Sequence, residues 1–217
     1  MSHACHCAGA AAHYNRKRAL RDLERYRRHG PDVTTALLLA ELRPVTRPGD
    51  TLLDIGGGIG VLELELQRHV PLRETVLVEA AADCVQVARE LRADDQEPGR
   101  FRPIVGDVTE ISPTLTAEVV ALDRVVCCYP DYGSLLRTAA GSATRVLALS
   151  YPRDRWYVRL AMAVENLLRR LEGNPFRIFV HPPDAIRQVL ETAGWRRAAR
   201  RSTLVWWVER WSLAGAA

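Results

Sequence analysis

The sequence predicts an α/β fold: a parallel sheet with helices on both faces. Three observations predict it. Short apolar runs of strand character alternate with segments of helical periodicity along most of the chain. The stretch "LLDIGGGIG", Leu52 to Gly60, sets four glycines in five residues directly behind an apolar strand. Such a turn leaves backbone N–H groups open at a helix start and lets a ligand approach closely. Finally, Asp54, Glu79 and Asp107 stand at the ends of three successive strands, the edge where parallel sheets bind ligands.

The 217 residues suffice for one core with additions, and the 47% hydrophobic and 26% charged fractions are those of a globular protein. No apolar run approaches the ~18 residues of a membrane helix. The start, "MSHACHCAGAAAHYNRKRAL", has no apolar stretch behind a basic one, so a cytoplasmic protein without a signal peptide is expected. Five cysteines, with Cys5 and Cys7 close together and Cys127 beside Cys128, make no disulfide framework. The net charge is +4, carried by arginines with Lys17 the only lysine. Because the arginines are scattered, they read as composition rather than as a binding patch.

Residues 1–12 are expected to form a disordered tail and 13–47 a helical cap, leaving 48–217 as the ligand-binding domain. In the cap, His13 to about His29 carries Leu20, Leu23 and Tyr26 on one helical stripe. Gly30-Pro31 ends it, and Asp32 caps a second helix that stops near Pro44. Thr51–Ile55 is a buried strand. "VLELELQRHV" alternates like a strand, but Leu, Glu and Gln favour a helix, and the glycine turn needs one to return the chain. Strands follow at 75–80, 101–105 and 144–151, residues 118–127 are a strand running into a loop, and helices at 82–93 and 133–140 lie between them. Asp154 is expected to cap a long helix whose Leu160, Val164, Leu167, Leu168 and Leu171 share a stripe. Pro182-Pro183 opens a further helix ending at Gly194, and "TLVWWVERW" is a C-terminal strand.

Gly56, Gly58 and Gly60 read G-x-G-x-G, and Val61 stands where a dinucleotide fingerprint has its last glycine. No Gly-Lys-Ser/Thr follows, which excludes a P-loop. A carboxylate at Glu79 can accept from ribose hydroxyls, and Asp107 from an exocyclic amine. Three acids at one edge suit a cationic ligand better than a pyrophosphate.

"LLDIGGGIG", Glu79 and "GDV" together resemble the class I S-adenosylmethionine-dependent methyltransferases over about residues 48–151. The resemblance implies a Rossmann-like, mostly parallel seven-stranded sheet and S-adenosylmethionine as the cofactor. It implies that Asp54, Gly56, Gly57, Gly58 and Gly60 hold the methionine part, Glu79 and Ala80 the ribose, and Asp107 and Val108 the adenine. It also places Asp123 and Arg124 of "LDRVVCCYPD" beside the sulfonium. Family members often carry Glu-His in that loop, where this chain has Cys127-Cys128. A narrower similarity, in "YRRHGPDVTT", the Cys-Tyr-Pro loop and "FRIFVHPPDAIRQVLETAGW", is to the magnesium-protoporphyrin O-methyltransferases.

The expected activity is therefore in-line methyl transfer to a small molecule, with oxygen the favoured acceptor atom. His181, Tyr129 and Tyr14 are the candidate catalytic residues; Cys128, Tyr151, Arg153 and Arg155 the candidate acceptor contacts. No metal, nucleic-acid or membrane partner is expected. Transfer to nitrogen, sulfur or a metalloid, an NAD-dependent oxidoreductase, and a non-catalytic cofactor-binding protein are the alternatives.

Overall fold

The structure is a computed structural model that describes residues 9–93, 99–111 and 115–213. A short helical stretch at residues 9–13 precedes α1 (Arg16–His29) and α2 (Val33–Leu42). The chain then runs β1 (Thr51–Ile55), α3 (Val61–Gln67), β2 (Glu74–Glu79), α4 (Ala82–Ala93) and β3 (Arg100–Val105). It continues with the short α5 (Val108–Ile111), β4 (Ala117–Leu122), a 3-10 turn (Val126–Cys128), α6 (Tyr132–Ser142) and β5 (Ala143–Pro152). The last elements are α7 (Trp156–Leu171), α8 (Pro183–Thr192), β6 (Trp195–Ser202) and β7 (Trp206–Leu213).

One seven-stranded sheet has the order β3-β2-β1-β4-β5-β7-β6. β1 to β5 are parallel, while β7 is antiparallel to both of its neighbours. Alternation along β1 sends Leu53 and Ile55 to one face and Leu52 to the other. The first face packs against α6 and α8 with Trp195 and Trp211; the second takes Leu38, Leu39 and Leu42 of α2. The strand order reverses between β1 and β4, so the glycine turn after β1 opens at the switch point.

Several expectations are corrected. Residues 9–12 are helical rather than part of an irregular tail, and Gly9 is buried; residues 1–8 lie outside the described residues. In α1 the buried face is Ala19, Leu23 and Tyr26, while Leu20 is exposed. The fourth strand gives way to the expected loop after Leu122, because Arg124 takes a left-handed φ of 61° that no strand accommodates. Asp154 does not cap α7; it pairs with Arg159, and Arg155 holds the cap position. The leucine stripe of α7 faces outward: Leu160, Val164, Leu167, Leu168 and Leu171 are all exposed, and Val158 and Met162 on the opposite face are buried. β6, "WRRAARRS", carries no apolar alternation to mark it as a strand. Its arginines are held across the sheet, Arg197 and Arg200 on Glu209 and Arg200 over the Trp207 ring.

Candidate functional site

At the carboxyl ends of the parallel strands lies a cavity of about 380 Å³, within the range of small-molecule sites. The glycine turn is its floor. A Cβ on Gly57 would stand 2.2 Å from Asp54 Oδ2, and one on Gly56 would stand 2.6 Å from Val125 Cγ2. Gly58 (φ 61°) differs: a Cβ there would meet nothing within 4 Å, so its Cα borders open space. Gly60, at φ 79°, starts α3 and does not border the cavity.

The acids after β1, β2 and β3 are held in different ways. Asp54 is fully buried and lines the cavity, and neither of its oxygens has a hydrogen-bond donor. Burial, and then the neighbouring Glu63, push its carboxyl well above the usual range. Glu79 Oε2 accepts from the Gly58 amide at 3.0 Å and Oε1 from the Ala81 amide at 2.8 Å. Those bonds oppose the upward push of burial on its pKa. Ala80 lines the wall beside it. Asp107 Oδ1 accepts from the Thr109 amide and hydroxyl, each at 2.8 Å, and from the Tyr129 hydroxyl at 3.0 Å. The neighbouring Val108 lines the cavity.

After β4, Asp123 accepts from Thr35 Oγ1 at 2.5 Å and Ser150 Oγ at 2.6 Å. Ser150 Oγ in turn accepts from the Arg124 amide at 2.7 Å, which holds Arg124 in its left-handed conformation. The Arg124 guanidinium pairs with Asp32 at 2.7 Å. Burial works against its charge, but Asp123 and Asp32 prevail and raise its pKa. Asp32 also caps α2 through the Thr34 and Thr35 amides. In the sequence Asp32 and Thr35 signal only a helix cap. Their contact with the β4 loop spans 88 residues or more and has no local signature.

The remaining candidates divide. Tyr14 and Cys128 line the cavity, as does Tyr129 while it holds Asp107. Burial, then Cys128 and Cys127, push the Tyr14 hydroxyl well above its ordinary pKa, so it stays protonated. His181 does not reach the cavity: its Nε2 donates to the Tyr129 carbonyl at 2.8 Å, behind the loop, and burial lowers its pKa. Tyr151 is buried in the core, where desolvation and Glu209 raise its pKa. Arg153 stacks on Trp207 and donates to the Thr203 carbonyl, and Arg155 is exposed at the start of α7. Residues not anticipated from the sequence close the opposite wall: Arg18 from α1, Met162 and Arg169 from α7, and Trp206. Arg169 is buried and ion-paired to Glu165. Among the described residues no group of histidines, cysteines and acids is arranged for a metal ion.

A family model described as a methyltransferase domain matches residues 23–198. The chain belongs to this methyltransferase family. No curated protein matches it. Among solved structures, the methyltransferase is similar to the magnesium protoporphyrin IX methyltransferase of Synechocystis, at 18% identity and TM-score 0.70, over 89% of this chain and 95% of that one. It is also similar to the Haloferax volcanii methyltransferase that was solved in complex with the Trm112 activator (16% identity, TM-score 0.67, 92% and 95% covered). A third likeness is to the N-methyltransferase NodS of Bradyrhizobium japonicum (12%, TM-score 0.60, 83% and 94%). At these identities the likeness is one of fold.

The site of the methyltransferase fits S-adenosylmethionine. The open flank of Gly58 leaves room over the turn. The donorless carboxyl of Asp54 suits a cationic amine, and Glu79 presents a carboxylate at the tip of β2. Among the described residues no helix is long and apolar enough to cross a membrane.

Proposed function

We propose that the protein transfers a methyl group from S-adenosylmethionine to an oxygen of a small molecule. The observation that carries this reading is the single cavity that joins the glycine turn and Glu79 to Tyr14, Cys128 and Met162. Donor and acceptor pockets are thus continuous, and α1 and α7 cover the acceptor end.

The donor supplies an electrophilic methyl on a sulfonium. The chain supplies alignment, which for a displacement of this kind is the larger part of the work. Asp54 and the glycine turn hold the amino-acid end, Glu79 and Ala80 the ribose, and Asp107 with Val108 the adenine. Asp123, fixed by Thr35 and Ser150, places a negative charge near the methyl-bearing centre. The protonated Tyr14 hydroxyl donates to the acceptor oxygen and orients it. It does not act as a base, so an acceptor oxygen that is already acidic suits the site best.

Transfer from labelled S-adenosylmethionine across phenols, carboxylates, amines and thiols tests the reading, alongside calorimetry with S-adenosylmethionine and with NAD. Binding of NAD without S-adenosylmethionine overturns the donor assignment. Transfer to amines alone overturns the oxygen assignment. The Cys127 and Cys128 sulfurs, 3.9 Å apart in the cavity wall, favour one second reading, a thiophilic metalloid acceptor. Arsenite binding that persists in the C127S/C128S double variant removes it.

A further inference from the structure

Beneath the glycine turn lies a second buried acid with no part in the alignment described above. Glu63, on the first turn of α3, is fully buried like Asp54. Its Oε1 would be 2.5 Å from a Cβ on Gly60, as Asp54 Oδ2 would be 2.2 Å from one on Gly57. The two carboxyls therefore underlie the same turn, within hydrogen-bonding reach of each other. None of their four oxygens has a donor. Two buried carboxylates in contact with no donor would repel each other at short range in a desolvated site, a costly arrangement. A proton placed between them removes that cost and supplies the missing donor.

We propose that Asp54 and Glu63 share one proton in the donor-free protein, and that the ammonium group of the donor's amino-acid end, arriving beside Asp54, expels it. This rests on the S-adenosylmethionine reading and deepens it: Glu63 is a positioning residue that acts through Asp54. The surrounding charges say which acid carries the proton. Asp54 faces Asp123 of the β4 loop and Glu79 of β2, both of which disfavour its ionisation. Glu63 faces Arg92 of α4, which favours its charge. The proton therefore rests on Asp54 and is donated to Glu63. On binding it passes to solvent, and the donor's ammonium replaces it as the compensating positive charge. No bond to carbon or sulfur changes.

Isothermal calorimetry at neutral pH tests this with S-adenosylmethionine, S-adenosylhomocysteine and 5′-methylthioadenosine, which lacks the amino-acid end. Each is titrated in phosphate and in Tris, two buffers of different ionisation enthalpy. The first two ligands should release about one proton each, and their affinity should fall toward tenfold per pH unit on acidification. Methylthioadenosine should release none. In Glu63→Gln the amide donates to an ionised Asp54, so the release and the pH dependence should both disappear while binding persists. Equal enthalpies in the two buffers for the wild type, with binding intact, overturn the shared proton and leave the donor reading standing. Release that survives in Glu63→Gln overturns it as well. If that variant does not fold, Asp54→Asn, which cannot release a proton, takes its place under the same criterion. Failure of all three ligands to bind overturns the donor reading itself, and this inference with it.

Discussion

Glu79 Oε2 accepts the Gly58 amide proton at 3.0 Å. This one bond fastens the tip of β2 to the glycine turn after β1, so the Glu79 carboxylate and the floor of the cavity are positioned as a unit. Glu79→Ala removes the carboxylate and leaves the Gly58 and Ala81 amides without their acceptor. Hydrogen bonds to a charged group are worth about 1.5–3 kcal/mol. S-adenosylmethionine affinity should therefore fall by about ten- to a hundred-fold in a calorimetric titration. Unchanged affinity would remove the ribose role proposed for Glu79.

The turn glycines should separate by readout. In Gly57→Ala the new methyl meets Asp54 Oδ2 at 2.2 Å and Leu77 Cδ1 at 2.8 Å. That overpacking should cost about 1–3 kcal/mol of stability. Gly58→Ala meets no neighbour and should cost only the ~1–2 kcal/mol of a left-handed alanine. Its methyl enters the cavity, so donor affinity should suffer more than stability. Urea midpoints and donor titrations on both variants check the contrast; a Gly58→Ala variant that loses stability but keeps wild-type donor affinity would contradict it.

Ser150 is a single-atom hinge of the β4 loop, donating to Asp123 and accepting from the Arg124 amide. Ser150→Ala leaves a left-handed residue with an unanswered N–H and should destabilise by about 1–3 kcal/mol. The rate of methyl transfer should fall as well, since Asp123 loses one of its anchors. A variant of wild-type stability and rate would show that Thr35 and the Asp32–Arg124 pair suffice to fix the loop.

His13 introduces an acid-sensitive contact. Burial, reinforced by Arg18 and Arg169, lowers its pKa from 6.5 to about 4. The ring stacks on Phe176 with centroids 4.6 Å apart, and its Nδ1 accepts from the Asn174 amide at 2.9 Å. The bond from Asn174 requires the neutral imidazole, since a protonated Nδ1 has no lone pair to accept with. The folded state resists a proton that the unfolded chain takes up below 6.5, so this stability is intact above that pH and is lost as pH falls toward about 4. Between pH 7 and pH 5 the wild type should lose stability relative to His13→Phe, so the denaturation midpoints should shift in the variant's favour; a pH-independent difference would contradict it.

The outward stripe of α7 contributes little to the monomer. Leu160→Gln and Leu167→Gln, at positions 57% and 56% exposed, should each change stability by no more than about 0.5 kcal/mol. Met162→Ala, on the buried face that borders the cavity, should cost several times as much. Thermal or urea unfolding distinguishes them.

The sequence by itself determined the fold class, the glycine turn and the acids at the strand tips. Each depends on short-range chemistry: apolar runs, glycine's freedom at positive φ, and a fixed offset from strand to turn. It also ranked helix over strand for "VLELELQRHV" from side-chain preference alone, and Val61–Gln67 is helical. Only the tertiary structure decided which face of α7 is buried, because its apolar stripe and its core-facing side are different faces of one helix. It alone revealed β6, whose arginines are satisfied by Glu209 and tryptophan rings on another strand. It set His181 behind the loop and brought Thr35 to Asp123 and Glu63 beneath Asp54. Such contacts join residues far apart in the chain, or depend on which side of an element the core takes. Local periodicity carries no record of either; burial and the pairing of charges across elements decide them.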